Sequence, residues 1–199
     1  MLPRRDIVVI GASAGGVEAL RALVGMLPHD LAASIFIVVH VAPWSPSKLP
    51  QILNYNGNLP AVHPTSGQAV EPGRIFIAPP DYHMILEKDR IKLWRGPKEN
   101  MHRPAVNPLF RSAAVNYKKR VVGIILSGTM DEGTAGLWWV KEFGGLAVVQ
   151  DPREAKFPDM PQNAMKHVAV DHMLDLEGIA ILLKEVTADG SPVRKMRGT

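Results

Sequence analysis

The sequence predicts an α/β doubly wound fold: a mostly parallel sheet with helices on both faces and one antiparallel hairpin inserted at about residues 82–95. Three observations carry that prediction. Short runs rich in Val and Ile recur without polar alternation, as strands buried on both faces of a parallel sheet do. Segments of helical spacing separate those runs. Glycine-containing turns stand where a run gives way to a helix.

The expected strands are Ile7 to Ile10, Ile35 to Val39, Ile75 to Ala78, Val121 to Leu126 and Leu146 to Gln150. Between them, Val17, Leu20, Leu23 and Val24 share one helical face, as do Val106, Leu109, Phe110 and Ala113. A third helix is expected over Ala135 to Phe143, stopped by Gly144-Gly145, and a fourth over Ile179 to Val186. Met84 to Glu87 and Arg90 to Trp94 alternate apolar and polar residues around Lys88-Asp89, which reads as the hairpin. Pro and Gly are spread over the connections, so the reading is one domain over 1–188 and a flexible tail over 189–199.

Composition narrows the function classes. The chain has 199 residues, a length that fits one sizeable domain, and no cysteine, which excludes disulfide scaffolds and zinc-thiolate sites. The 23 Lys and Arg against 19 Asp and Glu give a net charge of +4, and charged residues make up only 21% of the chain. That is neither a disordered chain nor a nucleic-acid-binding arm, so no nucleic-acid partner is expected. The apolar run behind Arg4-Arg5-Asp6 ends at Ile10, too short for a signal peptide, and nothing approaches the ~18 apolar residues of a membrane span. A cytoplasmic protein without membrane insertion is the expectation. The histidines show no metal-ligand spacing, so neither a metal nor a cofactor is expected.

Chemistry concentrates at strand ends. Gly11-Ala12-Ser13-Ala14-Gly15-Gly16 sits between a strand and a helix, at the carboxyl edge where open α/β sheets place ligands. Read as a nucleophile elbow, it presents Ser13 Oγ beside backbone N–H groups suited to an oxyanion. Read as a dinucleotide fingerprint, it lacks the second glycine at Ser13 and a ribose-binding acid at the end of the next strand, which ends in His40. Ser13 as a helix cap and His40 as a structural histidine are the plainer alternatives. The turn after Leu126 carries Asp131 and Glu132, two carboxylates that serve either as helix-capping groups or as the orienting acid of a triad.

Taken in order, these segments resemble the methylesterase domain of bacterial chemotaxis, the CheB family. The likeness extends through Val38-Val-His40-Val-Ala-Pro43, Ile77-Ala-Pro-Pro-Asp-Tyr-His-Met84, Asn100-Met-His-Arg-Pro-Ala-Val106, Leu126-Ser-Gly128, Gln150-Asp-Pro152 and Met160-Pro161. The resemblance implies hydrolysis of γ-glutamyl methyl esters on the cytoplasmic helices of chemoreceptors or related methylated signalling proteins, with release of methanol, and deamidation of receptor glutamines as a second activity. It implies Ser13 as nucleophile, His40 as base, and Glu132 at the position of the family's catalytic Asp, with backbone N–H groups at Ala14 and Thr129 for the oxyanion. Glu for Asp is a departure, because the side chain is one methylene longer. Asp131 is the other acid at that turn, and a weakened, receptor-docking module is the alternative to an active enzyme. A second departure is Ala14, where many relatives carry Thr. The family usually carries a receiver domain before the esterase domain. With the first strand at Ile7, the expectation is a stand-alone esterase.

Overall fold

Along Ile7–Ala12 the side chains of successive residues enter two different apolar layers, Ile7 and Val9 on one face, Val8, Ile10 and Ala12 on the other. This double burial explains why the run shows no polar alternation. The computed structural model describes residues 4–40 and 47–188. The tail expected over 189–199 and the Val41-Ala42-Pro43 part of the family-like stretch lie outside the described residues.

Strand β1 (Ile7–Ala12) is followed by α1 (Gly16–Gly25), β2 (Ser34–Val39), α2 (Leu49–Asn56), β3 (Ala61–Val62) and β4 (Arg74–Ile77). The hairpin β5 (His83–Glu87) and β6 (Arg90–Trp94) comes next. After it follow α3 (Val106–Tyr117), β7 (Val121–Ile125), α4 (Thr134–Glu142), β8 (Leu146–Gln150), α5 (Asp159–His167), β9 (His172–Leu174) and α6 (Leu176–Thr187). Seven strands form one parallel sheet in the order β3-β4-β2-β1-β7-β8-β9. Helices α1, α2 and α6 cover one face with Leu20, Leu23, Leu53, Ile179 and Leu183. Helices α3 to α5 and the hairpin cover the other with Leu109, Phe110, Leu137, Met160, Met84 and Ile91.

The doubly wound architecture and the hairpin are as the sequence predicts. Lys88 and Asp89 both adopt positive φ, 34° and 66°, as a two-residue hairpin turn of this hand requires. Four elements go beyond the sequence reading. The edge strands β3 and β9 have two and three residues, too few for a periodic signal. Helix α2 carries Pro50 in its first turn, and α5 follows Pro158 and contains Pro161, so both stretches read as connections.

The topology fixes where a site belongs. From β1 the chain winds outward through β2 to β4, then returns to β7 on the opposite side of β1. The crevice at the carboxyl ends of β1 and β7 is therefore the topological switch point. Ser13 follows β1, His40 follows β2, and Glu132 lies on the turn after β7.

Candidate active site

Ser13 leaves β1 in a turn that only glycine completes without strain. Gly15 has φ +71°, and a Cβ there would lie 2.7 Å from Ser127 Oγ. The turn is tied across the sheet, with Ser13 N–H donating to Ser127 O at 3.0 Å and Ser127 Oγ donating to Ala14 O at 2.8 Å. Gly128 comes close from the other side, where an added Cβ would be 2.9 Å from Ser13 Cβ. Buried Gln150 completes the support by accepting from Ser127 N–H at 2.9 Å. Ser127, Gly128 and Gln150 of the family-like stretches thus brace the serine turn.

His40 bridges the other two members. Its Nδ1 lies 3.1 Å from Ser13 Oγ, and its Nε2 lies 2.9 Å from Glu132 Oε2. A carboxylate only accepts, so the ring proton belongs on Nε2, and Nδ1 is left bare to accept from the serine hydroxyl. This reverses the more familiar assignment, in which Nε2 faces the serine. The His40 and Glu132 side chains are 8% and 3% exposed, so water competes little for their contact.

Glu132, not Asp131, meets the imidazole. Its carboxylate also accepts from Val106 N–H at 2.8 and 3.0 Å and from Asn107 N–H at 3.0 Å. These are the first two residues of α3, whose N-terminal N–H groups have no partner within the helix. The positive end of the helix dipole favours the carboxylate anion. The added methylene of Glu is accommodated by this reach: one oxygen faces His40 while the group as a whole caps α3. Asp131 is exposed, and its carbonyl accepts from Thr134 N–H at 3.1 Å to open the turn into α4.

The space in front of Ser13 is a small pocket of about 40 Å³, lined among others by His40, His102, Thr129, Asp131 and Glu132. Asn100 and Asp131 also line an adjoining, larger groove that runs to Trp138 and His167. Thr129 belongs to this lining, while Ala14 does not. Among the described residues neither the Ala14 nor the Thr129 N–H donates to a protein acceptor.

Several other histidine, arginine and aromatic side chains have structural duties. His83 is fully buried, accepting from Ala105 N–H at 3.3 Å and bonded through Nε2 to Pro97 O at 2.9 Å. Arg103 donates to Asp81 at 2.6 and 2.9 Å and to Gly96 O at 2.6 Å, and Arg95 pairs with the same carboxylate. These bonds hold the Asp81 carboxyl below the usual carboxylate range, Arg103 first and Arg95 second. They pin the 95–105 segment to the loop after β4 and stay outside the Ser13 pocket. Trp139 stacks on Phe143 at 5.4 Å, while Trp138 is 45% exposed. Of the Lys118-Lys-Arg120 turn, Arg120 pairs with Asp6 at 2.8 Å.

Sequence reasoning missed His102 as a member of the site. Its ring stacks on His40 with centroids 3.7 Å apart and planes 7° from parallel. The only sequence signal was its place in the Asn100-Met-His-Arg-Pro stretch. Burial lowers its pKa, with neighbouring His40 as the next cause.

Comparison with known proteins shows the family. A crystal structure of the Thermotoga maritima CheB methylesterase catalytic domain superposes with a TM-score of 0.87 at 31% identity, covering 91% of this chain and 98% of that domain. A Leptospira interrogans protein is 36% identical over 178 residues, 89% of this chain and 92% of the relative. The protein-glutamate methylesterase/protein-glutamine glutaminase 2 of Methanosarcina mazei is 34% identical over 184 residues, and this chain spans 50% of its length. The sequence profile of CheB methylesterases matches residues 8–183, and the chain belongs to the CheB methylesterase family.

Proposed function

We propose that this chain is a protein-glutamate methylesterase that hydrolyses γ-glutamyl methyl esters on methylated chemoreceptors by acyl transfer through Ser13. The observation that carries the proposal is the continuous chain of contacts from Ser13 Oγ through both ring nitrogens of His40 to Glu132. The family supplies the substrate class. The residues supply each proton movement.

His40 Nδ1 takes the Ser13 hydroxyl proton as Oγ attacks the ester carbonyl carbon. The carbonyl electron pair moves onto oxygen, and the N–H groups of Ala14 and Thr129 are the donors proposed to stabilise it. When the tetrahedral adduct collapses, the C–O bond to the methoxy group breaks, and the proton on Nδ1 goes to the departing oxygen to make methanol. Water then enters, loses a proton to Nδ1 and attacks the acyl-serine. Collapse of this second adduct returns the proton to Ser13 Oγ and frees the glutamate side chain. Glu132 accepts from Nε2–H throughout and stabilises the imidazolium that exists while Nδ1 holds the proton. Attack on a glutamine side chain follows the same course with ammonia as leaving group, the proposed second activity.

The ester group of a glutamyl side chain would reach Ser13 through the pocket that His40, His102, Thr129 and Glu132 line. A non-catalytic docking module is the weaker reading, because capping α3 accounts for the buried Glu132 carboxylate but not for the alignment of Ser13, His40 and Glu132 in one chain of contacts. The proposed catalytic unit covers residues 1–188. Ser13→Ala is expected to abolish methanol release from a methylated receptor and to lose reaction with a fluorophosphonate probe. Near-normal methanol release by that variant would overturn the proposal.

A further inference from the structure

We infer that His102 is a positioning residue for His40, lying flat on its imidazole and holding that ring in the plane that joins Ser13 to Glu132. The inference rests on the proposed function only in taking His40 as the base for Ser13.

The lone pair and the N–H of an imidazole point within the ring plane, so the hydrogen bonds of His40 to Ser13 and Glu132 fix its direction within that plane. They resist tilting of the ring only weakly, because a small rotation about the line between them changes both distances little. A flat group against the ring face supplies the missing constraint. His102 is such a group, 3.7 Å away and 7° from parallel.

His102 is itself held. Its Nδ1 lies 2.6 Å from Asn100 O, and a carbonyl only accepts, so Nδ1 carries the proton and Nε2 is bare in the neutral ring. Its backbone closes a two-residue turn, with Glu99 N–H donating to His102 O at 3.2 Å and His102 N–H donating to Glu99 O at 2.9 Å. The turn residues Asn100 and Met101 have φ of 47° and 66°, and the left-handed region is unfavourable for Met. Met101 is 84% exposed, so its own side chain does not repay that strain by burial. The residue the turn places against the site is His102. Both ends are fastened: Glu99 pairs with Arg111 of α3 at 2.7 Å, and Arg103 is bound to Asp81 and Gly96. A strained turn bolted at both ends and aimed at the base is how a fold holds a functional side chain in place.

The electrostatics suit the role. Burial and His40 lower the pKa of His102, Lys98 acts in the same direction, and the Asn100 carbonyl and Glu132 oppose them. A neutral ring therefore faces His40 when His40 takes up the serine proton. A neutral ring adds no charge against that cation, where a second imidazolium would repel it.

The test is the rate at which Ser13 is labelled by a fluorophosphonate, resolved into the maximal rate constant and the half-saturating concentration, in wild type, His102→Ala and His102→Phe. This readout needs no receptor, so it stands apart from the methanol assay that judges the substrate. His102→Ala is expected to lower the maximal rate about 10- to 100-fold, the scale of a small misplacement of a catalytic group. The half-saturating concentration is expected to stay within about threefold of wild type, a change too small to reflect a lost probe contact. His102→Phe restores the flat face and is expected to recover most of the rate. An alanine variant that labels at the wild-type rate overturns the inference, as does a phenylalanine variant that is folded and no faster than alanine. Should alanine fail to fold, the phenylalanine variant decides: wild-type-like labelling supports the positioning role, and a folded but slow enzyme refutes it.

Discussion

Glu132 answers to two partners on different elements, His40 Nε2 and the first N–H groups of α3, and both are donors that require an acceptor. Glu132→Gln keeps the shape but turns one oxygen into a donor. That NH2 must then face either Nε2–H or an α3 N–H, two donors against each other. The expected result is a fall in kcat for methanol release on the order of 10⁴-fold, as for the amide variant of a serine-protease triad acid. Glu132→Asp retreats by roughly 1.5 Å, one C–C bond, and cannot keep both partners. A loss of about 10- to 100-fold is expected there. A Glu132→Gln enzyme with wild-type kcat would remove Glu132 from the mechanism. The sequence placed Glu132 at the triad position by family likeness, yet adjacent Asp131 remained open. What separates them is contact with residues 25 and 26 positions upstream, which local reading of the turn does not reach.

The turn that delivers Glu132 ends at Gly133, the residue that opens α4. Gly133 has φ +92°, and a Cβ there would stand 2.6 Å from Ile125 Cδ1 and 3.1 Å from Val106 Cγ1. Gly133→Ala thus meets both backbone strain and a clash with the strand and helix that frame the site. A cost of about 1–3 kcal/mol is expected for the strained backbone. At about 2–4 °C per kcal/mol for a chain of this size, calorimetry should show a clear drop in Tm. Activity should fall with it, because relief of the clash moves the Glu132 turn. A variant with unchanged Tm would show that the turn yields freely. Elements with a strong period were legible: all five expected strands and all four expected helices are present. Helix α5 escaped notice because it buries only Met160, Pro161 and Ala164 and carries a proline in its first turn. Its role, packing Met160 against Gly128 beneath Ser13, arises from tertiary contact alone.

Over the whole molecule, acid should act in two stages of opposite chemical origin. His102 and His172 both have lowered pKa values, burial being the first cause in each. Around His102 the charged neighbours are His40, Glu132 and Lys98; around His172 they are Asp171, Lys141, Arg5 and Glu185. Because the native state disfavours the imidazolium, the unfolded chain binds more protons between the lowered values and the ordinary one of about 6.5. Stability from these two groups is complete above that ordinary value and is lost as pH falls through the lowered ones. Asp81 and Asp151 also have lowered values, but from hydrogen bonds to Arg103 and Arg95 in one case and to Arg153 in the other. Their contribution is complete above the ordinary carboxylate value of about 3.9 and is lost below it. Salt separates the stages. At about 1 M, where the screening length is near 3 Å, the pairs of exposed Arg95 and Arg153 weaken, the partly buried Arg103 pair weakens less, and burial of the histidines is untouched. Calorimetric Tm from pH 8 to 2.5 should therefore fall first below about 6.5 regardless of salt and again below about 3.9, with the second fall smaller at high salt. His102→Phe should shrink the first fall alone. A Tm that stays level from pH 7 to 5 would show that neither histidine is held neutral by the fold.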